Sequence, residues 1–394
     1  MSPVVRFGWS GCPIRVLAWL QSLRDAFLPP QLRLLELHFK FVHNRALHAA
    51  ATLGLADVVP PEPDQLWPTS SEIAQRLKAS DEELVYRFLR LLSSIGVFEE
   101  HAGRRFGHTP MSLLLRRDHP QSVRASILCF GLAQYEGWNG LSHMLLTGET
   151  AFDHVNGGKT CGPTTTNPNT AEVHCRHLTC TELEYFQKML VQTLSITTPP
   201  IVQDFDWPAL VQQVQREKGS EQVSIIDVGG GLGTVLHLLL ENVPSPEVSG
   251  ILFDQESVIE KARTKWADDP LRNRTTFIAG SFLDRIPEAD VFVLRMVLHD
   301  WNDSKAALIL KNIRYMMKPH SRVVVIENVM PPEGQHSNLI PLSVEVQDLH
   351  MMVMLGGKER TGHQFEQLFS RAGLALARSV PTRGIYHIIE GRLA

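Results

Sequence analysis

The sequence lacks several features that mark special classes of protein. It has only 5 cysteines in 394 residues, which is too few for a disulfide scaffold. Neither sign of charge dominates, because 38 basic residues stand against 42 acidic ones and the net charge is −4. Such a chain is poorly suited to broad binding of nucleic acids or membrane surfaces. These absences favour a soluble, cytoplasmic protein that binds neither nucleic acids nor membrane surfaces.

Long apolar runs are also missing. The apolar run nearest the start, Val16 to Leu20, is far too short for a transmembrane helix and lacks a signal-peptide cleavage pattern. Hydrophobic residues make up 43% of the chain and charged residues 20%, which is close to ordinary globular usage. At about 150 residues per domain, the length predicts two or three domains.

Two positions in the first part of the chain carry the signature of a helix start. Thr69 and Ser80 are each followed three residues later by a glutamate, Glu72 and Glu83 respectively. In a capping box the hydroxyl and the carboxylate satisfy free amide groups of the first helical turn. The spacing therefore predicts two capping boxes, after a longer helix over residues 32–55.

The second of these helices begins a winged-helix pattern. Apolar spacing predicts a helix over residues 82–95, followed by two short strands over 97–100 and 106–108. Winged helices usually bind DNA. Residues 61–130, however, hold nine basic and nine acidic residues, and the helix opens on three acidic ones, which phosphates would repel. The charge favours a winged helix that dimerises over one that binds DNA.

From residue 223 the pattern alternates between strands and helices. The predicted strands cover residues 223–228, 250–253, 275–279, 290–294 and 322–327, and the predicted helices cover 233–241, 257–266 and 303–317. Repeated units of a strand followed by a helix predict a parallel, doubly wound sheet. Two last strands, near 375–379 and 385–390, are predicted to close one edge of it.

A glycine-rich loop follows the first of these strands. Asp227 ends the strand, and the run from Gly229 to Gly233 contains four glycines, including Gly231, which allow a sharp turn and close approach of a ligand. Asp254 follows 21 residues later, where a carboxylate can accept both hydroxyls of a ribose. The loop has neither the dinucleotide fingerprint nor a P-loop ending. An acidic residue at the strand end suits an amino-acid ammonium group, although a tight turn without ligand is the alternative.

Three ionisable residues are predicted to meet at the same rim of the sheet. His299 follows the fourth strand, Glu327 ends the fifth, and Glu359 lies just before a later helix. The carboxyl ends of the strands line the ligand crevice in a doubly wound sheet, so His299 lies where a general base would have to lie. The alternative is a partly buried histidine that has only a structural role and whose hydrogen bonds are satisfied. The two carboxylates predicted at the same rim favour the general base over this alternative.

Together these motifs resemble those of the small-molecule O-methyltransferases that use S-adenosylmethionine (SAM), of the plant caffeic acid and acetylserotonin type with bacterial and fungal relatives. The resemblance rests on Asp-Val-Gly-Gly-Gly-x-Gly, on His299-Asp300-Trp301, on Glu327 and on Gly-Gly-Lys-Glu-Arg-Thr, in the family's order and spacing. It covers about residues 35–155 and 182–392.

The resemblance implies an α/β fold: a Rossmann-like, doubly wound SAM-methyltransferase sheet domain behind an N-terminal helical winged-helix domain that forms homodimers. We expect the dimerisation domain over residues 1–155, an atypical loop or insertion over 156–181 and the catalytic domain over 182–394. The implied reaction is an SN2 transfer of the SAM methyl group to a hydroxyl of a phenolic or enolic secondary metabolite.

The resemblance also implies residue roles. His299 is the general base, with Glu327 and Glu359 flanking it, and no metal is expected. Residues implied at SAM are Asp227, Gly229, Gly231, Asp254, Ser281, Phe282 and Arg295. Residues implied at the small aromatic acceptor are Phe130, Trp138, Phe186, Met189, Asp300, Met351 and Met354. For the apolar residues implied at the acceptor, packing in the hydrophobic core is an equally good interpretation.

Two departures from the family pattern leave alternatives open. Ser281 stands where the family has an aspartate for the adenine amino group. Residues 156–181 replace a segment that closes over the acceptor, and they hold Cys161, His174, Cys175, His177 and Cys180. An altered lid is favoured there over a zinc site, because the spacing matches no common zinc finger. The alternative functions are a non-methylating pericyclase, hydroxylase or decarboxylase that retains SAM, and a regulator that binds DNA.

Overall fold

The computed structural model describes residues 24, 26–63, 66–157, 180–336 and 343–394. Contacts divide these residues into two compact units, one with residues 24–136 and 180–193 and the other with 137–157 and 194–394. The predicted insertion over 156–181 lies almost entirely outside the described residues. The expected domain boundaries at 155 and 181 differ from this division by contacts, and they stay a prediction.

The first unit is helical apart from one hairpin. Its helices are α1 (Pro30–Leu53), α2 (Leu55–Val58), α3 (Ser70–Leu77), α4 (Glu82–Ser94), α5 (Pro110–Leu113), α6 (Arg124–Phe130) and α7 (Ala133–Gly137). The hairpin consists of β1 (Phe98–His101) and β2 (Arg105–His108), which pair antiparallel. Leu89, Phe98 and Phe106 are buried in the hydrophobic core of this first unit. The order of helix, helix and hairpin confirms the winged-helix pattern.

The structure confirms one of the two predicted capping boxes. Thr69 Oγ1 accepts a hydrogen bond from the Glu72 amide, and the Glu72 carboxylate accepts one from the Thr69 amide. The second capping box, Ser80 with Glu83, is wrong. Asp81 begins the helix instead, and its carboxylate accepts from the Glu83 amide at 2.8 Å. A carboxylate at the cap satisfies that amide directly, so Asp81 rather than Ser80 is the capping residue, and the helix begins at Glu82 as predicted.

The second unit is built around one seven-stranded sheet. Its strands are β3 (Val223–Val228), β4 (Val248–Asp254), β5 (Thr275–Ala279), β6 (Val291–Arg295), β7 (Arg322–Glu327), β10 (Leu374–Pro381) and β11 (His387–Leu393), in the order β10-β11-β7-β6-β3-β4-β5. The five strands from β7 to β5 run parallel. The last two are antiparallel and close one edge, so the predicted doubly wound α/β sheet is confirmed.

The remaining elements belong to this unit, except for the first part of one helix, residues 180–193, which belongs to the first unit. The helices are α8 (Leu141–Thr147), α9 (Ala151–Val155), α10 (Cys180–Gln203), α11 (Trp207–Lys218), α12 (Thr234–Asn242), α13 (Glu256–Lys265), α14 (Asp303–Met316), α15 (Val344–Leu355) and α16 (Gly362–Arg371). A short pair of strands, β8 (Val329–Met330) and β9 (Arg360–Thr361), lies apart from the main sheet. No helix in the described part of the chain is both long and apolar enough to cross a membrane.

Both faces of the central strands are buried. Along β3, Val223 and Ile225 pack into one hydrophobic core, whereas Ile226 and Val228 pack into the core on the opposite face. Parallel strands covered on both sides therefore appear in sequence as continuous apolar runs. This arrangement brings the carboxyl ends of β3, β4, β6 and β7 to one rim, where the candidate site lies.

Candidate active site

The glycine loop between β3 and α12 has a backbone that only glycine adopts easily. Gly229, Gly231 and Gly233 have φ angles of 69°, 58° and 77°, a left-handed conformation that strains other residues. A Cβ atom added to Gly231 would meet nothing within 4 Å. The backbone of Gly231 therefore faces open space and is accessible to a ligand.

Asp227, at the end of β3, is a buried carboxylate next to this loop. Its Oδ2 atom has no hydrogen-bond partner among the described residues. Burial, with a smaller contribution from the charge of Asp254, raises the pKa of Asp227 to about 7. An incompletely satisfied buried carboxylate is costly, and a cationic ligand group beside it would relieve that cost.

Asp254, at the end of β4, holds the glycine loop in place. Its Oδ2 atom accepts a hydrogen bond from the Gly231 amide at 2.8 Å, and its Oδ1 atom accepts from the Gln255 amide at 2.7 Å. Through these bonds the carboxylate holds the backbone of the loop against the end of β4. Phe282 also borders the loop, because a Cβ on Gly229 would lie 3.5 Å from its ring.

The structure places the other two predicted cofactor residues in local contacts. Ser281 Oγ accepts a hydrogen bond from the Leu283 amide at 3.2 Å. Arg295 donates to Thr197 Oγ1 at 2.9 Å and to the Tyr386 hydroxyl at 3.0 Å. Its positive charge also favours the ionised form of Asp227 and so opposes the rise in the pKa of that group.

His299 lies in a single helical turn after β6 and is held by two acidic neighbours. Its Nδ1 atom lies 2.8 Å from Glu359 Oε1, and its Nε2 atom lies 3.2 Å from Asp300 Oδ1. Because an ionised carboxylate only accepts hydrogen bonds, Nδ1 donates to Glu359. The side chain of His299 is 7% exposed and that of Asp300 is 28% exposed, so Nε2 lies on the more open side of the ring.

Glu327, at the end of β7, fixes the backbone that leads into His299. Its Oε1 atom accepts hydrogen bonds from the amides of Val297 and Leu298, at 3.0 and 2.8 Å. Oε2 has no partner in the described part of the chain. The donor atoms of His299, Glu327 and Glu359 lie within 4.8 Å of one another. The predicted trio is therefore assembled, and the same set of atoms could hold a metal ion.

Electrostatics favour the protonated form of His299. Burial by itself would lower its pKa, but the carboxylates of Asp300, Glu327 and Glu359 outweigh burial and raise the pKa to about 10. Burial raises the pKa of Glu327 to about 7, although the charge of His299 opposes that rise. The site is thus built to stabilise an imidazolium.

Arg360, which the sequence analysis missed, holds the turn that carries His299. Its guanidinium, only 1% exposed, donates to the carbonyl oxygens of Leu298 and Trp301 at 2.9 and 2.8 Å and to Asp303 at 3.0 Å. Gly357 lies against the same turn, because a Cβ there would come within 2.2 Å of the His299 carbonyl oxygen. The Gly-Gly-Lys-Glu-Arg-Thr run therefore packs directly on the turn.

Of the six apolar residues predicted at the acceptor, three belong to the same unit as His299. Met351 and Met354 are buried on α15, and Trp138 stacks on His350 of that helix at 6.0 Å between ring centres. His350 is a second residue that the sequence analysis missed. Burial and the nearby charge of His299 lower the pKa of His350 to about 4, so it is a neutral polar group close to His299.

The other three predicted acceptor residues belong to the helical unit. Phe130 is exposed at the end of α6, whereas Phe186 is half-buried and Met189 is buried on α10. Their part in an acceptor pocket stays a prediction. The zinc alternative also stays untested, because Cys161, His174, Cys175 and His177 lie outside the described residues.

Two sequence profiles match the chain in the order of its domains. A profile described as the O-methyltransferase dimerisation domain matches residues 35–118. A profile described as the O-methyltransferase domain matches residues 186–375. The second match contains the glycine loop, His299, Glu327 and Glu359.

Relatives of known activity match over nearly the whole chain. The phenazine O-methyltransferase PhzM of Lysobacter antibioticus is 32% identical over 94% of this chain and 99% of its own. The crystal structure of LaPhzM, also 32% identical, superposes with a TM-score of 0.75 over 93% of this chain and 100% of its own. NcsB1, an O-methyltransferase from neocarzinostatin biosynthesis, was solved with SAM and 2-hydroxy-5-methyl naphthoic acid. It is 26% identical, with a TM-score of 0.68 over 89% of this chain and 96% of its own.

Proposed function

Because this chain belongs to the family of SAM-dependent O-methyltransferases that act on small-molecule secondary metabolites, we propose that its acceptor is a phenolic or enolic hydroxyl. The observation that carries the proposal is the buried pair of His299 and Glu359, 2.8 Å apart, with Asp300 at the other ring nitrogen. A phenol has a pKa of about 10, so it needs a base of matching strength. NcsB1, solved with a hydroxylated naphthoic acid, supports this class of acceptor.

The rim residues fit SAM by their chemistry. Asp227 would hold its ammonium group, since that carboxylate has an oxygen without a partner among the described residues. Gly229 and Gly231 would line the methionine part, and Asp254 would accept from the ribose hydroxyls. We assign Ser281, Phe282 and Arg295 to the edge of the same site. When bound, SAM supplies a sulfonium methyl group that is already activated for transfer.

The chain itself supplies alignment and a base. Glu359 fixes the ring of His299 through Nδ1, which leaves Nε2 to accept the acceptor's proton as its oxygen attacks the methyl carbon. The three surrounding carboxylates stabilise the resulting imidazolium. Because His299 and a phenol have similar pKa values, proton transfer between them costs little, in keeping with general-base catalysis. Trp138, Met351 and Met354 supply an apolar wall for the acceptor.

Methyl transfer itself has a direct test. We expect the purified chain, incubated with labelled SAM and a panel of phenols, to yield methylated product and one S-adenosylhomocysteine per product molecule. Complete conversion of a substrate with intact SAM recovered would instead support the non-methylating alternative. A panel of aliphatic alcohols is the matched control, because their hydroxyls are far less acidic.

The Glu359→Gln variant tests the electrostatic role of the carboxylates. Removing one negative charge lowers the pKa of His299, so its neutral, basic form becomes available at lower pH. We expect kcat/KM of the natural chain to rise with pH up to about 10, given the pKa of about 10 for His299, and the rising limb to shift to lower pH in the variant.

The pH profile of methyl transfer, rather than the absolute rate, is the readout for this variant. Glu366→Gln is a suitable control, because Glu366 is an exposed glutamate on α16 and its loss should leave the rising limb in place. An unshifted limb in Glu359→Gln would show that the carboxylate does not set the proton affinity of the base.

We also propose that the enzyme works as a homodimer. Several large apolar side chains of α1 are exposed, including Leu34 at 69% and Leu37 at 62%, and the dimerisation profile covers most of that helix. Glutamate at both positions is expected to give a monomer in sedimentation experiments. Tyr315→Glu, at an exposed site on α14, is the control. A double variant that stays dimeric would show that this face of α1 is not the dimer interface.

The cytoplasm is the proposed location of the reaction. The low cysteine content is typical of chains that do not depend on an oxidising compartment.

A further inference from the structure

A cluster of two histidines and a glutamate lies at the junction of α8 and α9, apart from the residues assigned to catalysis. His143 Nε2 lies 2.7 Å and His154 Nδ1 lies 3.6 Å from the same oxygen, Oε2 of Glu149. The two imidazole rings are stacked nearly parallel, with 3.5 Å between their centres. Candidate donor atoms of all three residues lie within 4.8 Å of one another.

This arrangement differs from an ordinary ion pair. One carboxylate oxygen serves both rings, so the three side chains converge on a single point. Two imidazoles and one carboxylate are a common set of zinc ligands.

The backbone presents the three side chains together. Gly148 ends α8 in the left-handed conformation, with φ of 79°, and reverses the chain. The Glu149 amide then donates to Thr147 Oγ1 at 3.2 Å, while Ala151 and Phe152 are fully buried and anchor α9. The ligands thus project from a short, anchored reversal of the chain.

Distances and exposure both suit a metal ion. Zinc bonds of about 2.1 Å at tetrahedral angles place neighbouring ligand atoms about 3.4 Å apart, so the pairs at 2.7 and 3.6 Å are close to the required spacing. A metal ion lies in the plane of each imidazole that binds it, so one of the two stacked rings must rotate about its side-chain bonds when the ion binds. The three side chains are between one third and one half exposed. An ion can therefore enter from solvent and keep a water molecule in its fourth position.

We propose that His143, Glu149 and His154 form a binding site for one Zn²⁺ ion, with the fourth position open to water. Such an ion would connect the end of α8 to α9. Because α9 packs against α15, the ion would also stabilise the helix that carries Met351 and Met354.

Zinc titration of the chelator-treated, full-length chain tests this site. We expect calorimetry to show one equivalent of Zn²⁺ that is lost in His143→Ala, His154→Ala and Glu149→Gln. The last variant keeps the shape of the side chain and guards against misfolding. Added Zn²⁺ should raise the Tm of the natural chain more than that of any of these variants, while all four proteins melt alike in chelator.

His237→Ala is the matched control. His237 also has two acidic neighbours, Asp269 at 2.9 Å and Glu241 at 3.4 Å, but they face opposite ring nitrogens and cannot share one ion with the ring. Its zinc stoichiometry should equal that of the natural chain. Undiminished binding in the three site variants, as would follow from zinc held by the cysteines of residues 156–181 alone, would overturn the proposal. So would an equal loss in His237→Ala.

Discussion

The His299→Ala variant is expected to lose methyl transfer by about 100- to 10,000-fold in kcat, the usual contribution of a positioned general base. Without the imidazole, the group proposed to take the proton of the phenol is gone. Burial raises the pKa of Glu327 only to about 7, so Glu327 is a much weaker base than a phenolate. Steady-state rates with labelled SAM and a reactive phenol give the measurement.

Cofactor binding separates this effect from a loss of structure. The Kd for SAM, measured by calorimetry, should be nearly unchanged in His299→Ala. The glycine loop follows β3 and is held by Asp254 at the end of β4, whereas His299 lies on the turn after β6. His363→Ala removes an exposed histidine on α16 and should retain full activity. A His299→Ala enzyme with near-normal kcat at neutral pH would end the assignment of His299 as the base.

The second large effect is expected at the cofactor. Asp254→Ala removes the acceptor proposed for two ribose hydroxyls and also the hydrogen bond that fixes the Gly231 amide. Hydrogen bonds to a charged group contribute about 1.5–3 kcal/mol each, so losing two weakens SAM binding by at least about 100-fold. Calorimetric titration with SAM and with S-adenosylhomocysteine measures this loss for both ligands.

Glu256→Gln is the control for Asp254→Ala. Glu256 is an acidic residue in the first turn of α13, two positions away and exposed, so its substitution tests the general effect of charge near the site. Its Kd should stay within about threefold of the natural value, since screened surface charges contribute little. If both variants weaken SAM equally, Asp254 has no specific role.

The sequence predicted the sheet well because its strands are buried on both faces. The bounds of β3, β5 and β7 match their predictions, since continuous apolar runs identify such strands. Strand β4 begins at Val248 rather than at residue 250, because it pairs with β3 along the whole length of β3, starting from Val223 opposite Val248. The pairing partner, which the local sequence does not contain, decides where that strand begins.

The candidate site was predicted in its residues but not in its contacts. Motif order and strand ends brought His299, Glu327 and Glu359 to one rim, whereas the hydrogen bond from His299 to Glu359 joins residues 60 positions apart. A lone histidine in an apolar helix, such as His350, gives no signal without knowledge of what it faces. The Ser80 capping box was wrong because Asp81 competes for the same amide.

Arg360 has a further consequence for how this enzyme can change over evolution. Its guanidinium holds the turn after β6 through the carbonyl oxygens of Leu298 and Trp301, so the position of the base depends on the main chain. Side chains proposed to face the acceptor, such as Met351 and Met354, take no part in that support. Acceptor selectivity can therefore drift by substitution while the machinery for proton removal stays intact.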